Sequence, residues 1–257
     1  MKNKFINFIK KKNKKKLVCL TAYSKNIAKI LDKYCDLILV GDSLANVLYG
    51  MTNTRNITLD MMIKHSASVN LGVKKAISVV DMPKNTYNNK SQAILNAKKI
   101  IKKSKCDAVK VESNYKNSNI IKAMTKSGIK VMGHIGYTPQ YKNKFKPQGV
   151  KKIEQKKLLD DALLIQKAGA FAIVLECIEI KSSSLITNKL NIPTIGIGSS
   201  KYCDGQILVT DDMLGLSGFY PKFVKKYANL NLIIEKSVQK YMRDIIKELF
   251  PKKNNSY

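Results

Sequence analysis

Short apolar runs rich in β-branched residues recur along the chain, and most are followed by a stretch whose apolar positions have helical spacing. The runs predict strands at 17–21, 37–41, 77–80, 108–111, 130–133, 172–175, 194–196 and 207–209. Between them the pattern predicts helices over 25–34, 59–73, 91–104, 119–127, 153–168 and 182–190. The strand runs are continuous rather than alternating, which is how a parallel sheet covered on both faces reads. Eight such strands within about 200 residues predict an α/β fold, a closed (β/α)8 TIM barrel. The rival, an open doubly wound sheet, would normally carry a glycine-rich phosphate turn after its first strand, and Thr21-Ala22-Tyr23 is not one. Phe5, Ile6, Phe8 and Ile9 predict a short N-terminal helix closing the bottom of the barrel. The lysine run at 10–16 then reads as a solvated linker. Near the other end, Leu232, Ile233, Val238, Ile245, Ile246 and Leu249 line one face of an extra helix over 231–249. That face is available to pack on the barrel or on a neighbouring subunit. No internal boundary interrupts the pattern, so residues 1–257 read as one domain, with 1–16 as basic helix and linker and 231–250 as C-terminal helix.

Composition changes this picture in one respect. The formal charge is +29, from 47 Lys+Arg against 18 Asp+Glu, and basic excess on that scale raises polyanions as partners. Only Arg55 and Arg243 are arginines, however, and the lysines are spread along the whole chain. Arginine is the residue that reads phosphate and guanine bidentately, so no specific nucleic-acid partner is expected. No stretch approaches the roughly 18 apolar residues of a membrane span, and the N-terminus lacks the apolar core of a secretion signal. Cys19, Cys35, Cys106, Cys177 and Cys203 form no CxxC pair. Reduced thiols in a cytoplasmic protein are the expectation.

In a barrel of this type chemistry gathers at the C-terminal strand ends. Those ends here read Asp42-Ser43, Asp81, Glu112, His134 and Glu176. Lys110 stands two residues before Glu112, so both point to the same face of their strand. Four carboxylates at equivalent positions are a large share of a chain with 18 acids. Three hard oxygen ligands suit Mg²⁺ better than zinc. Such an ion would polarise a bound carbonyl, a lysine would neutralise a substrate carboxylate, and a fourth carboxylate would act as general base. The alternatives are local: Asp42 or Ser43 capping a helix, Asp81 opening a Met-Pro turn, His134 as a core histidine.

At these residues the chain resembles the ketopantoate hydroxymethyltransferase family. The matching pieces run in order from LTAY at 20–23 and LVGDSL at 39–44 through TLDMMIKH at 58–65, VVDMP at 79–83, AVKVE at 108–112 and VMGHIGYTPQ at 131–140. AGAFAIVLEC at 168–177, IPTIGIGS at 192–199, CDGQILV at 203–209, DMLGL at 212–216 and PKFVKKYANL at 221–230 complete the set. The resemblance implies a barrel of the phosphoenolpyruvate/pyruvate-binding superfamily. It further implies transfer of a one-carbon unit from 5,10-methylenetetrahydrofolate to 3-methyl-2-oxobutanoate, giving 2-dehydropantoate on the way to pantothenate and coenzyme A. By position, its Mg²⁺ ligands fall on Asp42, Asp81 and Glu112. Its substrate contacts fall on Asp42, Ser43, Asp81 and Lys110, its general base on Glu176 and a pocket residue on His134. A homo-oligomer, a decamer, is implied as well.

The chain departs from the family pattern at Ser24, Ala45, Lys84, Ser113-Asn114 and Val150, which places the differences in loops expected to face the folate. A C–C lyase akin to isocitrate lyase remains the alternative within the superfamily, but its cysteine-bearing KKCGH-like loop is absent.

Overall fold

The computed structural model describes residues 2–113, 116–142, 145–218 and 220–257. Its contacts divide the chain into two compact units, Met1–Val209 and Thr210–Tyr257. The first opens with α1 (Lys2–Lys10) and holds eight strands: β1 (Leu17–Thr21), β2 (Leu37–Val40), β3 (Ile77–Asp81), β4 (Ala108–Glu112), β5 (Val131–Gly136), β6 (Ala172–Glu176), β7 (Thr194–Ile197) and β8 (Gly205–Leu208). All neighbours pair parallel, and β1 closes on β8, so the sheet is a complete barrel. Helices α2 (Lys25–Leu31), α3 (Leu44–Val47), α4 (Leu59–Asn70), α5 (Lys90–Ser104), α6 (Ser118–Lys126), α7 (Lys152–Lys167) and α8 (Ile180–Lys189) connect the strands up to β7. Their starts follow local chemistry. Thr58, Asn89 and Glu179 accept the backbone N–H three residues on in α4, α5 and α8, satisfying donors the helix cannot.

The expected strands are all present, with one difference that matters. The sequence reading stops the third, fourth and sixth strands at 80, 111 and 175; the barrel carries each one residue further, to Asp81, Glu112 and Glu176. The acids are therefore strand residues, and strand alternation decides where they point. Leu39, Val79, Ala108, Met132, Ala172 and Val174 belong to the apolar cluster inside the barrel, whereas Ile38, Val80, Val109 and Ile173 pack outward against the helices. Stepping by two from the interior residues along β3, β4, β5 and β6 reaches Asp81, Lys110 and Glu112, His134, and Glu176.

The lower end of the barrel is closed by α1. Phe5 and Phe8 are buried and meet the Phe171 ring edge-on at 4.9 and 6.0 Å between centroids. Ile6, by contrast, is exposed. The lysine run is solvated only in part: Lys10, Lys14, Lys15 and Lys16 are exposed, whereas Lys11 and Lys12 are half-buried. Lys4, Lys11 and Lys12 reach Asp107, Asp36 and Asp204 at the starts of three different strands. Lys16 Nζ donates to the carbonyls of Lys201 and Cys203. The acids are held by backbone and hydroxyl donors of their own, and Asp204 also accepts from Thr194 N and Oγ1. The pair Lys12–Asp204, at 2.8 Å, is nearly shut off from solvent, with side chains 8% and 2% exposed. Breaking a buried pair by removing one partner leaves an uncompensated charge, so Lys12→Ala is expected to cost about 3–5 kcal/mol of stability. Chemical denaturation should show this as a lower midpoint, and an unchanged midpoint would mean the contact is worth no more than a surface pair. The motif CDGQ is thereby given a structural role: Asp204 anchors the plug, and a Cβ on Gly205 would sit 2.6 Å from Leu17, at the closing seam.

The second unit comprises α9 (Thr210–Leu214) and α10 (Leu230–Ile246) with intervening and following loops. The α10 helix is where the apolar spacing placed one, within a few residues at each end. It buries none of its residues, and Ile233, Val238 and Ile246 are more than half exposed. Among the described residues, no helix is long and apolar enough to cross a membrane.

Candidate active site

The residues singled out at the strand ends come together at the upper end of the barrel. Asp42 follows β2, and its backbone N–H donates to Asp81 Oδ2 at 3.0 Å. Lys110 Nζ lies 2.7 Å from Asp81 Oδ1, its register partner on the neighbouring strand. The same ammonium is 3.4 Å from His134 Nδ1, and on the far side of the ring Nε2 is 3.1 Å from Glu176 Oε2. Glu112 and His134 are also register partners. Ser43 Oγ shares a hydrogen bond with the Tyr23 hydroxyl at 2.8 Å and makes no cap on α3, so the capping alternative fails for that side chain. All of these residues except Ser43 and Glu176 are buried, and the Glu176 side chain is only 13% exposed.

Glycine shapes the position of Glu176. Gly136 ends β5 with φ +98°, and a Cβ there would lie 2.1 Å from the Glu176 carbonyl oxygen. Any side chain would push the two strand ends apart.

Burial and mutual repulsion set the electrostatics. Burial, reinforced by Asp81, raises the Asp42 carboxyl to about 7. Burial then Asp42 pushes Glu112 well above the usual carboxylate range. Glu176 is raised to about 8, chiefly by burial, with Lys110 opposing the shift. Burial pulls the Lys110 ammonium down, but Asp81 and Asp42 outweigh it and hold the group above its ordinary value. His134 is driven well below its ordinary value by burial and then by Lys110, so the ring is neutral. The site thus contains one fixed cation, a neutral imidazole and acids clustered at a cost that a further positive charge would relieve.

The donor set fits a hard divalent cation. Asp81 Oδ1 is buried and, despite its close ammonium neighbour, has no partner at hydrogen-bonding angles. Among the described residues no three acidic, imidazole or thiol groups converge tightly enough to enclose a bare ion. A hard divalent cation here would therefore take one or two carboxylates directly and fill its other positions with water and substrate oxygens.

Two side chains in the site were not assigned roles by sequence reasoning. Gln140 Nε2 donates to Asp42 Oδ2 at 2.9 Å and to Met82 O at 3.0 Å, and its backbone N–H points between the Glu112 oxygens at 3.1 and 3.2 Å. The Tyr87 hydroxyl donates to Gln140 Oε1 at 2.5 Å. Gln140 ends the TPQ of VMGHIGYTPQ, so the motif was visible although its function was not. Of the residues departing from the family pattern, Ser113 is buried, donating its hydroxyl to Val111 O and its N–H to His134 O. Ala45 is buried in α3, Ser24 caps α2 without a side-chain bond, and Val150 is exposed. Lys84 lies over the Tyr141 ring at 5.9 Å, and Asn114 is outside the described residues.

A closed parallel (β/α)8 barrel with buried acids, a lysine and a histidine at its C-terminal strand ends has the layout of a barrel enzyme's active-site end. The solved structures that share the barrel fold include two enzymes. One is 2,3-dimethylmalate lyase, with a TM-score of 0.61 and 11% identity over 99% of this chain and 88% of that one. The other is phosphonopyruvate hydrolase in complex with oxalate and Mg²⁺, with a TM-score of 0.59 and 12% identity over 98% of this chain and 93% of that one. The chain belongs to the ketopantoate hydroxymethyltransferase family, whose model matches residues 3–253. Among its relatives is the 3-methyl-2-oxobutanoate hydroxymethyltransferase of Pelagibacter ubique (strain HTCC1062), 53% identical over 257 residues that span all of both chains. The chain is accordingly a transferase.

Proposed function

We propose that the chain transfers a hydroxymethyl group from 5,10-methylenetetrahydrofolate to 3-methyl-2-oxobutanoate, giving 2-dehydropantoate for pantothenate and coenzyme A biosynthesis, and that it does so with Mg²⁺. The observation that carries this reading is Glu176: a largely buried carboxyl, raised to about 8, on the strand beside His134 and across from the Asp81–Lys110 pair. A carboxylate in such an environment is a competent base near neutral pH.

Asp42, Asp81 and Glu112 would hold the metal, one or two of them directly and the rest through water. When bound, Mg²⁺ supplies Lewis-acid polarisation of the substrate's 2-oxo group. Lys110, with Asp42, Ser43 and Asp81, binds and orients the 2-oxo acid, the ammonium being the one buried cation of the site described here. The Glu176 carboxylate takes the proton from C3, which leaves C3 as the nucleophile for the donor's methylene carbon; one water supplies the hydroxyl oxygen as the carbon–nitrogen bond breaks and tetrahydrofolate leaves. His134, neutral, stands 3.1 Å from a Glu176 carboxyl oxygen, with no hydrogen bond at bonding angles between them.

Small-molecule 2-oxo acid and folate are thus the partners in this reading, and the protein is a cytoplasmic homo-oligomer, a decamer by family. The exposed apolar side chains of α10 support association, and five buried, unbridged cysteines support a reducing compartment. The test is exchange of the C3 proton of 3-methyl-2-oxobutanoate in D₂O, followed by NMR without folate. Exchange that requires Mg²⁺ and stops in EDTA is the expected result, followed by 2-dehydropantoate when the folate donor is added. Folded, Mg²⁺-replete protein giving no exchange would count against both substrate and base.

A further inference from the structure

Gln140 sits in the loop after β5, yet its bonds reach the ends of three other strands. The side-chain amide donates to Asp42, which follows β2, and to the Met82 carbonyl, which follows β3; the backbone N–H is shared by the two oxygens of Glu112 at the end of β4. The residue is 1% exposed, and Tyr87, also buried, donates to its remaining polar atom. These partners dictate the amide's orientation. A flipped amide would set Oε1 against a carboxylate and a carbonyl, and would face the Tyr87 hydroxyl with a donor. Because its NH₂ faces Asp42, Gln140 presents donors, not an electron pair, to the acid cluster. It is suited to orienting ligands and not to being one.

We infer that Gln140 is a positioning residue that prearranges Asp42 and Glu112 for a divalent cation, with Tyr87 locking the amide in place; this rests on the proposal that these acids hold the metal. The physical argument is that clustered carboxylates repel one another and would rotate apart unless neutral donors hold them. Gln140 supplies a donor to each of two acids from one rigid, buried unit. Partners of this kind around metal ligands are typically worth about 10- to 100-fold in metal affinity.

The experiment titrates Mn²⁺, without substrate, into wild-type protein and the variants Gln140→Leu, Tyr87→Phe and the pair together. Affinity is read from the electron paramagnetic resonance of free Mn²⁺, and metal-free melting temperatures are measured alongside. Gln140→Leu is expected to weaken Mn²⁺ binding about 10- to 100-fold while the metal-free protein still melts cooperatively. Tyr87→Phe, losing the lock, is expected to weaken it about 2- to 10-fold. The double variant should match Gln140→Leu, since the Tyr87 hydroxyl, which also bonds Tyr141, meets the acid-holding unit at the Gln140 amide. Mn²⁺ affinity within twofold of wild type in Gln140→Leu would overturn the inference, as would losses that multiply in the double variant. If Gln140→Leu does not fold, unaltered affinity in Tyr87→Phe overturns it alone. Failure of the metal site itself looks different: wild-type protein, or Asp42→Asn alongside it, would then bind no Mn²⁺ or bind it equally, and the inference would fall with that reading.

Discussion

Glu176→Gln is expected to slow Mg²⁺-dependent exchange of the C3 proton by about 10²–10⁴-fold, the range general bases typically contribute. Glutamine keeps the size of the side chain and can still contact the neutral His134 ring, so the fold should survive and the loss should fall on proton transfer. Substrate binding, carried by Lys110 and the acids of β2 and β3, should change little. The wild-type rate should rise with pH, because the basic form of Glu176 is the reactive one. The carboxyl is raised to about 8 before any cation is bound, and a divalent cation nearby favours the charged form, so the limb should appear below that value with Mg²⁺ present. Exchange rates in D₂O across pH 5–9 test both points. A variant exchanging as fast as wild type would assign the base elsewhere.

Lys110→Met is expected to destabilise the metal-free protein by about 3–5 kcal/mol at pH 8, since it strips a buried carboxylate of its ion-pair partner. In a chain of this size that lowers the melting temperature by about 10 °C. Lys110 itself adds no slope near neutrality. Its folded-state pKa is raised, so its contribution is complete below the ordinary lysine value and is lost only as pH rises through the folded one. The acids do add a slope. Asp42 and Glu176 bind protons more tightly folded than unfolded, so protonation favours the native state and stability falls as pH rises through about 4–8. Without Lys110 that fall should be steeper, and the deficit of the variant should shrink towards pH 5. Thermal melts of both proteins in EDTA at pH 5 and 8 measure it. A deficit equal at both pH values would show that lost packing, not lost charge, is responsible.

The barrel was legible because its strands are buried on both faces and its helices on one, so apolar periodicity alone marks both. The acids were legible because each ends an apolar run, as Glu176 ends AIVLE. Their exact placement was less so. Whether Asp81 closes β3 or opens the next turn depends on pairing with Lys110 in β4, and local pattern carries no information about register. The lysines at 10–16 show the same limit from the other side. Read locally they are a charged run, but three acids from strand starts far along the chain receive the α1 end of the plug and part of that run.

By itself the sequence determined the order of strands and helices, the eightfold count, the acids that end the apolar runs of β3, β4 and β6, and family membership. These depend on periods of two and about 3.6 residues and on short motifs, all of them local. Only the tertiary structure decided that Gln140 would meet Asp42, 98 positions away, or that Lys12 would meet Asp204, 192 positions away. Such contacts follow from barrel closure, which sets every strand's height against its neighbours at once, and the repeating pattern of any single segment does not encode that height.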